Sequence, residues 1–286
     1  MFHFTYLQAV VSGLIQGITE LFPVSSLGHS VLIPAWLGGS WRAYSSSPQY
    51  LLIAIALHLA SAIALFIVFA PRWVKILRSV LLWRKQEIGF RIFLLLLLGT
   101  LPVALIGLLF NSFFQKNFES PTSAAIFLTI NGLLLFGTER LTASRQSHTE
   151  GLNEDEAIAS RVSPGQALVI GVGQSAALFA GISRFGITVS FGMLRGLSRS
   201  IAADFAFLLS FPVILGASLF KLPKLFHGAI AGSYGPLAVG SIVSFFATIL
   251  SITLLVRWFK SNTLKPFAIY CLVFGLISAI KFGLFG

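Results

Sequence analysis

Apolar runs long enough to cross a bilayer recur along the whole chain, and they limit its fold more than any other feature. Crossing the hydrocarbon as a helix takes about 20 residues. Six stretches come near that length: 51–70, 92–110, 122–138, 202–220, 236–256 and 265–281. Each must be helical, because lipid offers no partner to an open backbone. The shortest, 122–138, has to thin the bilayer or extend past its own apolar limits. Pro102 and Pro212 lie within spans and are expected to kink them. The chain is therefore an all-α, polytopic membrane protein. Its composition agrees: 56% of residues are hydrophobic and 10% charged, against about 25% charged in soluble domains. The net charge of +11 comes from basic residues lying between the apolar runs. That pattern orients a membrane protein and argues against nucleic acid as a partner.

Two further segments are apolar but interrupted. Residues 5–40 break at PVSSLGH and residues 165–198 at AGISRFGIT. Each half is short for a crossing, and Gly, Pro and Ser at the centre favour a helix break. Irregular backbone at membrane depth survives only where protein or a water-filled cavity surrounds it. Two re-entrant helical hairpins are expected. With hairpins, fourteen of the twenty Lys and Arg fall on one side and five on the other, with Arg184 set aside in the site; with single crossings the split is twelve to seven. Positive residues favour the cytoplasm, so hairpins fit better and both termini lie outside. Residues 1–286 form a single transmembrane domain, with halves 1–140 and 165–286 joined by a cytoplasmic loop, 141–164. The first residues carry no basic stretch, so no cleavable signal peptide is expected. The lone cysteine, Cys271, excludes an internal disulfide and a cysteine-based metal cluster.

The interrupted segments resemble each other. Gly13, Gln16, Ser25 and Gly28 recur as Gly171, Gln174, Ser183 and Gly186 at a constant offset, and each segment precedes three spans. An odd number of crossings separates them, so the second half should be inverted relative to the first. Inverted repeats with broken helices place a ligand site at the repeat interface. That architecture suits a transporter as well as an enzyme.

Of nine acidic residues, Glu20 and Asp204 lie in embedded segments. A charge there is costly and usually has a functional partner. Asp204 stands close to a helix start, where first-turn placement or pairing with Arg199 accounts for it. Glu20 lies one helical turn beyond Gln16, on a face of small and polar residues. Ser25, Ser26, Gly28 and His29 follow where the next helix begins, and such a terminus favours an anion. The second segment supplies Ser183, Arg184, Gly186 and Thr188 in the matching place. Arg184 can grip a phosphate through two bonds, with Glu20 as its resting partner. Donors outnumber acceptors, which selects an anionic ligand. A histidine beside a serine and a carboxylate also permits nucleophile activation. His58 sits in mid-span without a motif and reads as a satisfied buried histidine.

These residues have a family resemblance. QGITELFPVSSLGHS resembles the first signature of the bacterial undecaprenyl-diphosphate phosphatases of the bacitracin-resistance type, and AGISRFGIT resembles their second, PGxSRSGxT. GTLPVALIGLLF and FAFLLSFPVILGA are similar to that family's spans, so the likeness covers nearly the whole chain. It implies a phosphatase of the bacterial cytoplasmic membrane that recycles the isoprenoid lipid carrier of cell-wall synthesis. It implies Glu20, Ser26, His29 and Arg184 as catalytic residues, with Gln16, Ser25, Ser183, Gly186 and Thr188 around the substrate. It also implies a divalent cation, Mg²⁺ or Ca²⁺, on Glu20. Ser26, His29 or a water remain possible nucleophiles, and the oligomeric state stays open. Gln16 stands where many members have a second glutamate. Ala180, Phe185 and Ile187 replace the pattern's proline, serine and small polar residue, which is expected to remove hydroxyls near the phosphate. The competing reading is a flippase or transporter of an anionic lipid that does not hydrolyse it.

Overall fold

A computed structural model describes residues 4–47, 49–118, 120–143, 152–221 and 234–284. Among these residues the chain is all-helical, with no strand. The chain begins with a pair of short helices, α1 (Tyr6–Thr19) and α2 (Ser26–Leu37), followed by α3 (Gly39–Ser45). Then come α4 (Gln49–Val68), α5 (Ala70–Leu81), α6 (Ile88–Phe118) and α7 (Pro121–Thr142). After α8 (Glu154–Arg161) comes a second short pair, α9 (Pro164–Gln174) and α10 (Arg184–Leu194), with a 3₁₀ turn at Ser175–Leu178. The chain finishes with α11 (Arg199–Lys221), α12 (Tyr234–Ser261) and α13 (Lys265–Leu284).

Among the described residues, six helices are long and apolar enough to cross a membrane: Tyr50–Val68, Ile88–Phe110, Pro121–Thr142, Arg199–Lys221, Tyr234–Ser261 and Lys265–Leu284. They coincide with the six runs read from the sequence, and the chain is a multi-pass membrane protein. Pro102 and Pro212 lie inside continuous helices. The third span is longer than its apolar run because α7 continues through Thr138–Thr142. There Glu139 is buried; it pairs with Arg199 and accepts the Leu264 N–H at 3.0 Å. This corrects the expected partner of Arg199: it is Glu139, not Asp204, whose charged neighbours include Arg72, Glu154 and Lys260. Sequence patterning also missed α5 and α8. Helix α5 is strongly amphipathic, burying Trp73 and Ile76, and Arg72 binds Asp155 of α8 at 2.5 Å. The connection 141–164 is therefore partly helical; residues 144–151 at its centre lie outside those described.

The short pairs are built into the bundle by close helix contacts. Helix α1 packs on α12, α9 on α6, and α7 on α13. Gly13 of α1 lies against the Gly240 carbonyl, and Gly171 of α9 against that of Gly99, where a Cβ would overlap backbone. Small residues at such crossings let backbones meet where burial from water supplies no drive. Ser61, Ser244 and Thr248 bond between α4 and α12, and Ser251 donates to the Gly17 carbonyl at 3.0 Å. These contacts hold the end of α1 against the bundle and so fix the position of Glu20 and of the helix break beyond it.

Candidate active site

Helix α1 stops at Thr19 with Glu20 as its C-cap, and Pro23 prevents the chain from continuing as a helix. Helix α2 restarts at Ser26, capped by Ser25, whose Oγ accepts from the Gly28 N–H at 3.1 Å. Ser25 has φ +70°, a conformation that costs a residue with a Cβ about 1–3 kcal/mol unless its surroundings hold it. A second bond does so, because Gly181 N–H donates to the same Oγ at 3.2 Å. The other pair repeats the plan. Ser183 caps α10 by accepting from Gly186 N–H at 3.0 Å, and its hydroxyl donates to the Phe22 carbonyl at 3.3 Å. Each capping serine is thus bonded to the opposite break. Asn131 of α7 joins both, donating to the Pro23 carbonyl and accepting from Ser183 N–H, each at 3.0 Å. Gly181 has φ +112°, and its face lies against the α7 backbone at Leu128 N, so only glycine fits there.

This lacing puts Ser26 and Arg184 at the same position, the first residue of the restarted helix, on facing sides of one carboxylate. Glu20 Oε2 accepts from Ser26 Oγ at 2.5 Å and from Gln16 Nε2 at 2.9 Å. The same oxygen lies 3.4 Å from His58 Nε2, and Arg184 Nη2 lies 3.2 Å from Oε1. The Glu20 side chain is 2% exposed. Arg184 Nη1 is buried without a partner among the described residues. A buried guanidinium with a spare donor is a place for an anion.

The cluster opens on a cavity of about 660 Å³. Gln16, Glu20, Ser25, Ser26, His58, Ser183 and Arg184 form its polar end. Ile55, Val103, Ala104, Leu108, Val213 and Ala217 are among the residues of its apolar walls, and Lys221 also lines it. A charged end with long apolar walls matches an amphiphile with an anionic head.

The other expected residues are placed differently. His29 does not line the cavity. Its Nδ1 donates to the Ser25 carbonyl and its Nε2 accepts from Tyr270 Oη, both at 2.7 Å, and the ring stacks on Tyr270 and Phe274 of α13. Thr188 Oγ1 bonds back to the Arg184 carbonyl at 2.8 Å, and Gly186 packs against Pro23. These three support the breaks rather than face the cavity. The departures at 180, 185 and 187 are buried away from it as well: Phe185 packs on Phe207 and Phe259. Hydroxyls expected to be lost from the phosphate site are therefore not lost from the cavity wall. His58, expected to be a satisfied buried histidine, instead turns its Nε2 to Glu20, and Asn131 was not singled out in the sequence. Each is a polar side chain within a span, which is itself a functional signal.

The chain matches a family model described as bacitracin resistance protein BacA over residues 9–277. It is 39% identical to Undecaprenyl-diphosphatase 2 of Frankia alni, over 99% of this chain and 100% of that protein. It is 42% identical to the undecaprenyl-diphosphatase of Mycolicibacterium paratuberculosis, over 97% of each chain. With Undecaprenyl-diphosphatase 2 of Oenococcus oeni it shares 35%, over 95% of this chain and 96% of the relative.

Proposed function

The chain belongs to the bacitracin resistance protein BacA family, and we infer from that membership that it hydrolyses undecaprenyl diphosphate to undecaprenyl phosphate and inorganic phosphate. It is an undecaprenyl-diphosphatase, and its product returns the lipid carrier to cell-wall synthesis. The observation that carries the chemistry is Glu20 held between Ser26 and Arg184 at the head of a largely apolar cavity.

The residues take these roles. The terminal phosphate enters at Arg184, whose Nη1 has no other partner among the described residues. The guanidinium then exchanges Glu20 for phosphate oxygens, and the positive ends of α2 and α10 add to the field. Ser26 Oγ attacks the terminal phosphorus as its proton passes to Glu20 Oε2, the oxygen it already contacts. Glu20 passes that proton to the departing undecaprenyl phosphate as the bond to the bridging oxygen breaks. Water then attacks the phosphoserine, Glu20 accepts the water's proton and returns it to Ser26 Oγ as the serine–phosphorus bond breaks, and phosphate and free Ser26 result. Most of the rate enhancement comes from positioning and neutralised charge. The prenyl tail lies along the apolar walls and continues into lipid.

Glu20 is also the residue that would hold a divalent cation. Its Oε1 faces Arg184, which has a better anion to move to once substrate binds, and the Gln16 amide lies alongside. No group of three or more His, Cys, Asp or Glu residues suited to a metal occurs among the described residues. That donor set fits Mg²⁺ or Ca²⁺ taking most ligands from water and phosphate. Such an ion supplies further charge neutralisation on the diphosphate.

The two short pairs are read as re-entrant hairpins whose breaks meet within the membrane, and the two halves as an inverted repeat. The exchange of capping bonds between Ser25 and Ser183 and the pairings α1–α12 and α9–α6 support this. Residues 1–286 then form one transmembrane domain in the bacterial cytoplasmic membrane, with both termini outside. Cysteine-accessibility labelling at each terminus tests the orientation. The activity is tested with purified protein in detergent, without vesicles, on a short prenyl diphosphate. Phosphate release that disappears in both Glu20→Ala and Arg184→Ala is expected. Release persisting in both variants removes the site, and none from the wild type removes the activity.

A further inference from the structure

Four helix segments converge on the Glu20 carboxylate, and the proposed hydrolysis uses three of them. The end of α1 contributes Glu20 and Gln16, the start of α2 contributes Ser26, and the start of α10 contributes Arg184. The fourth is α4, through His58. We propose that His58 is a positioning residue for phosphoryl transfer, holding Glu20 so that its Oε2 stays turned to Ser26. This rests on the roles of Glu20 and Ser26 in the proposed hydrolysis.

The ring of His58 is fixed from within its own helix, since Nδ1 donates to the Ala54 carbonyl one turn earlier at 2.7 Å. That bond orients the ring and turns Nε2 to Glu20, which it holds as the second N–H donor of an imidazolium paired with the carboxylate. The contact is 3.4 Å, to the same oxygen that accepts the Ser26 hydroxyl. Together with Gln16 Nε2, three groups among the described residues surround Oε2, while Oε1 faces Arg184. The asymmetry matters once substrate binds. Arg184 is then drawn to the diphosphate, and Oε1 loses the partner that fixed it. Among the described residues, the side chains that then keep the carboxylate in place during the attack are those on Oε2, whether or not a cation takes up Oε1. Gln16 sits on the same helix as Glu20 and moves with it, and Ser26 is the group that reacts. His58 is the contact anchored on a separate span.

The other described histidine, His29, cannot share this role. Both of its ring nitrogens are occupied, by the Ser25 carbonyl and by Tyr270, and it does not line the cavity. A histidine that merely fills space and satisfies one backbone carbonyl could be replaced by any polar residue of tolerable size. A positioning histidine requires a group that reaches Glu20.

The test compares His58→Gln with His58→Asn, measuring kcat and KM for phosphate release from a short prenyl diphosphate, alongside thermal unfolding in the same detergent. The Gln amide reaches the place of Nε2 and the Asn amide stops short of it. His58→Gln should keep kcat within about 3-fold of wild type, while His58→Asn lowers it by about 10²-fold with little change in KM, the effect of a misplaced reacting group. His58→Leu, which fills the space without a polar group, should match His58→Asn. Equal kcat values for the Gln and Asn variants overturn the proposal, whether both are active or both impaired. If the Leu variant unfolds, the Gln–Asn pair still decides. A wild-type protein that releases no phosphate instead overturns the assigned activity, so the two failures are distinguishable.

Discussion

Arg184 Nη2 lies 3.2 Å from Glu20 Oε1, so the first helix of one half of the chain is charge-paired with the second short helix of the other half. Glu20 is buried and Arg184 partly so, and the arginine keeps a second, buried nitrogen without a partner among the described residues. The pair is a structural clamp between the two breaks and, in the proposed mechanism, the resting state that the diphosphate replaces.

Arg184→Ala should therefore damage both stability and activity. Removing one partner of a buried ion pair costs about 3–5 kcal/mol, read as a lower unfolding temperature, and phosphate release should fall below detection. Arg184→Lys should restore most of the stability but little of the activity, because an ammonium lacks the planar two-point grip on phosphate. Comparing unfolding and turnover of the two variants checks this.

Ser26→Ala should lower kcat by about 10³-fold or more, the scale of losing a reacting group, with KM changed far less. Wild type quenched during turnover should carry phosphate on Ser26, detectable by mass spectrometry of the peptide. A Ser26→Ala protein of near wild-type rate would assign the attack to water.

Chelation by EDTA should suppress phosphate release, and added Mg²⁺ or Ca²⁺ should restore it. Glu20 is the carboxylate available at the cluster, so Glu20→Gln should be inactive and added cation should not rescue it. Phosphate assays across a cation titration of both proteins measure this.

Asn131→Leu should destabilise the protein without touching the cavity. It leaves the Ser183 N–H buried without its partner and the Pro23 carbonyl with the weak Cys271 thiol in place of an amide donor. At about 1–3 kcal/mol for each unsatisfied group, the loss should show as a clearly lower unfolding temperature in detergent. Residual activity measured well below that temperature should fall too, because the two breaks lose their common anchor.

His29→Ala should reduce activity through the break rather than through proton transfer. His29→Asn, whose amide can still donate to the Ser25 carbonyl, should recover much of it. Equal inactivity of both, with wild-type stability, would return His29 to the chemistry.

The membrane spans were legible because each is a local property: a run of apolar residues must be a helix in lipid, whatever surrounds it. The breaks at PVSSLGH and AGISRFGIT were legible for the same kind of reason, since Pro, Gly and capping Ser act on their own neighbours. Glu20 and Arg184 stood out as charges whose cost at such depth demands partners. Helix α5 was hidden because its charged residues broke the apolar pattern, although one face is buried. Asn131 and His58 were hidden because each lies alone in a span, and nothing in the neighbouring sequence says which way it points. Phe185 and Ile187 misled because the resemblance to the family signature aligned them with residues near the phosphate, without saying which way they point.

From the sequence alone come the number of spans, the two helix breaks and the identity of the charges that lipid cannot tolerate unpaired. These are consequences of short-range rules of backbone hydrogen bonding and transfer into hydrocarbon. Only the packed bundle decided which side chains share the Glu20 carboxylate, that Ser26 rather than His29 contacts it, and that Asn131 ties the breaks together. Those facts depend on helix rotation and on contacts between distant segments, and both are set by close packing of whole surfaces rather than by any local stretch of chain.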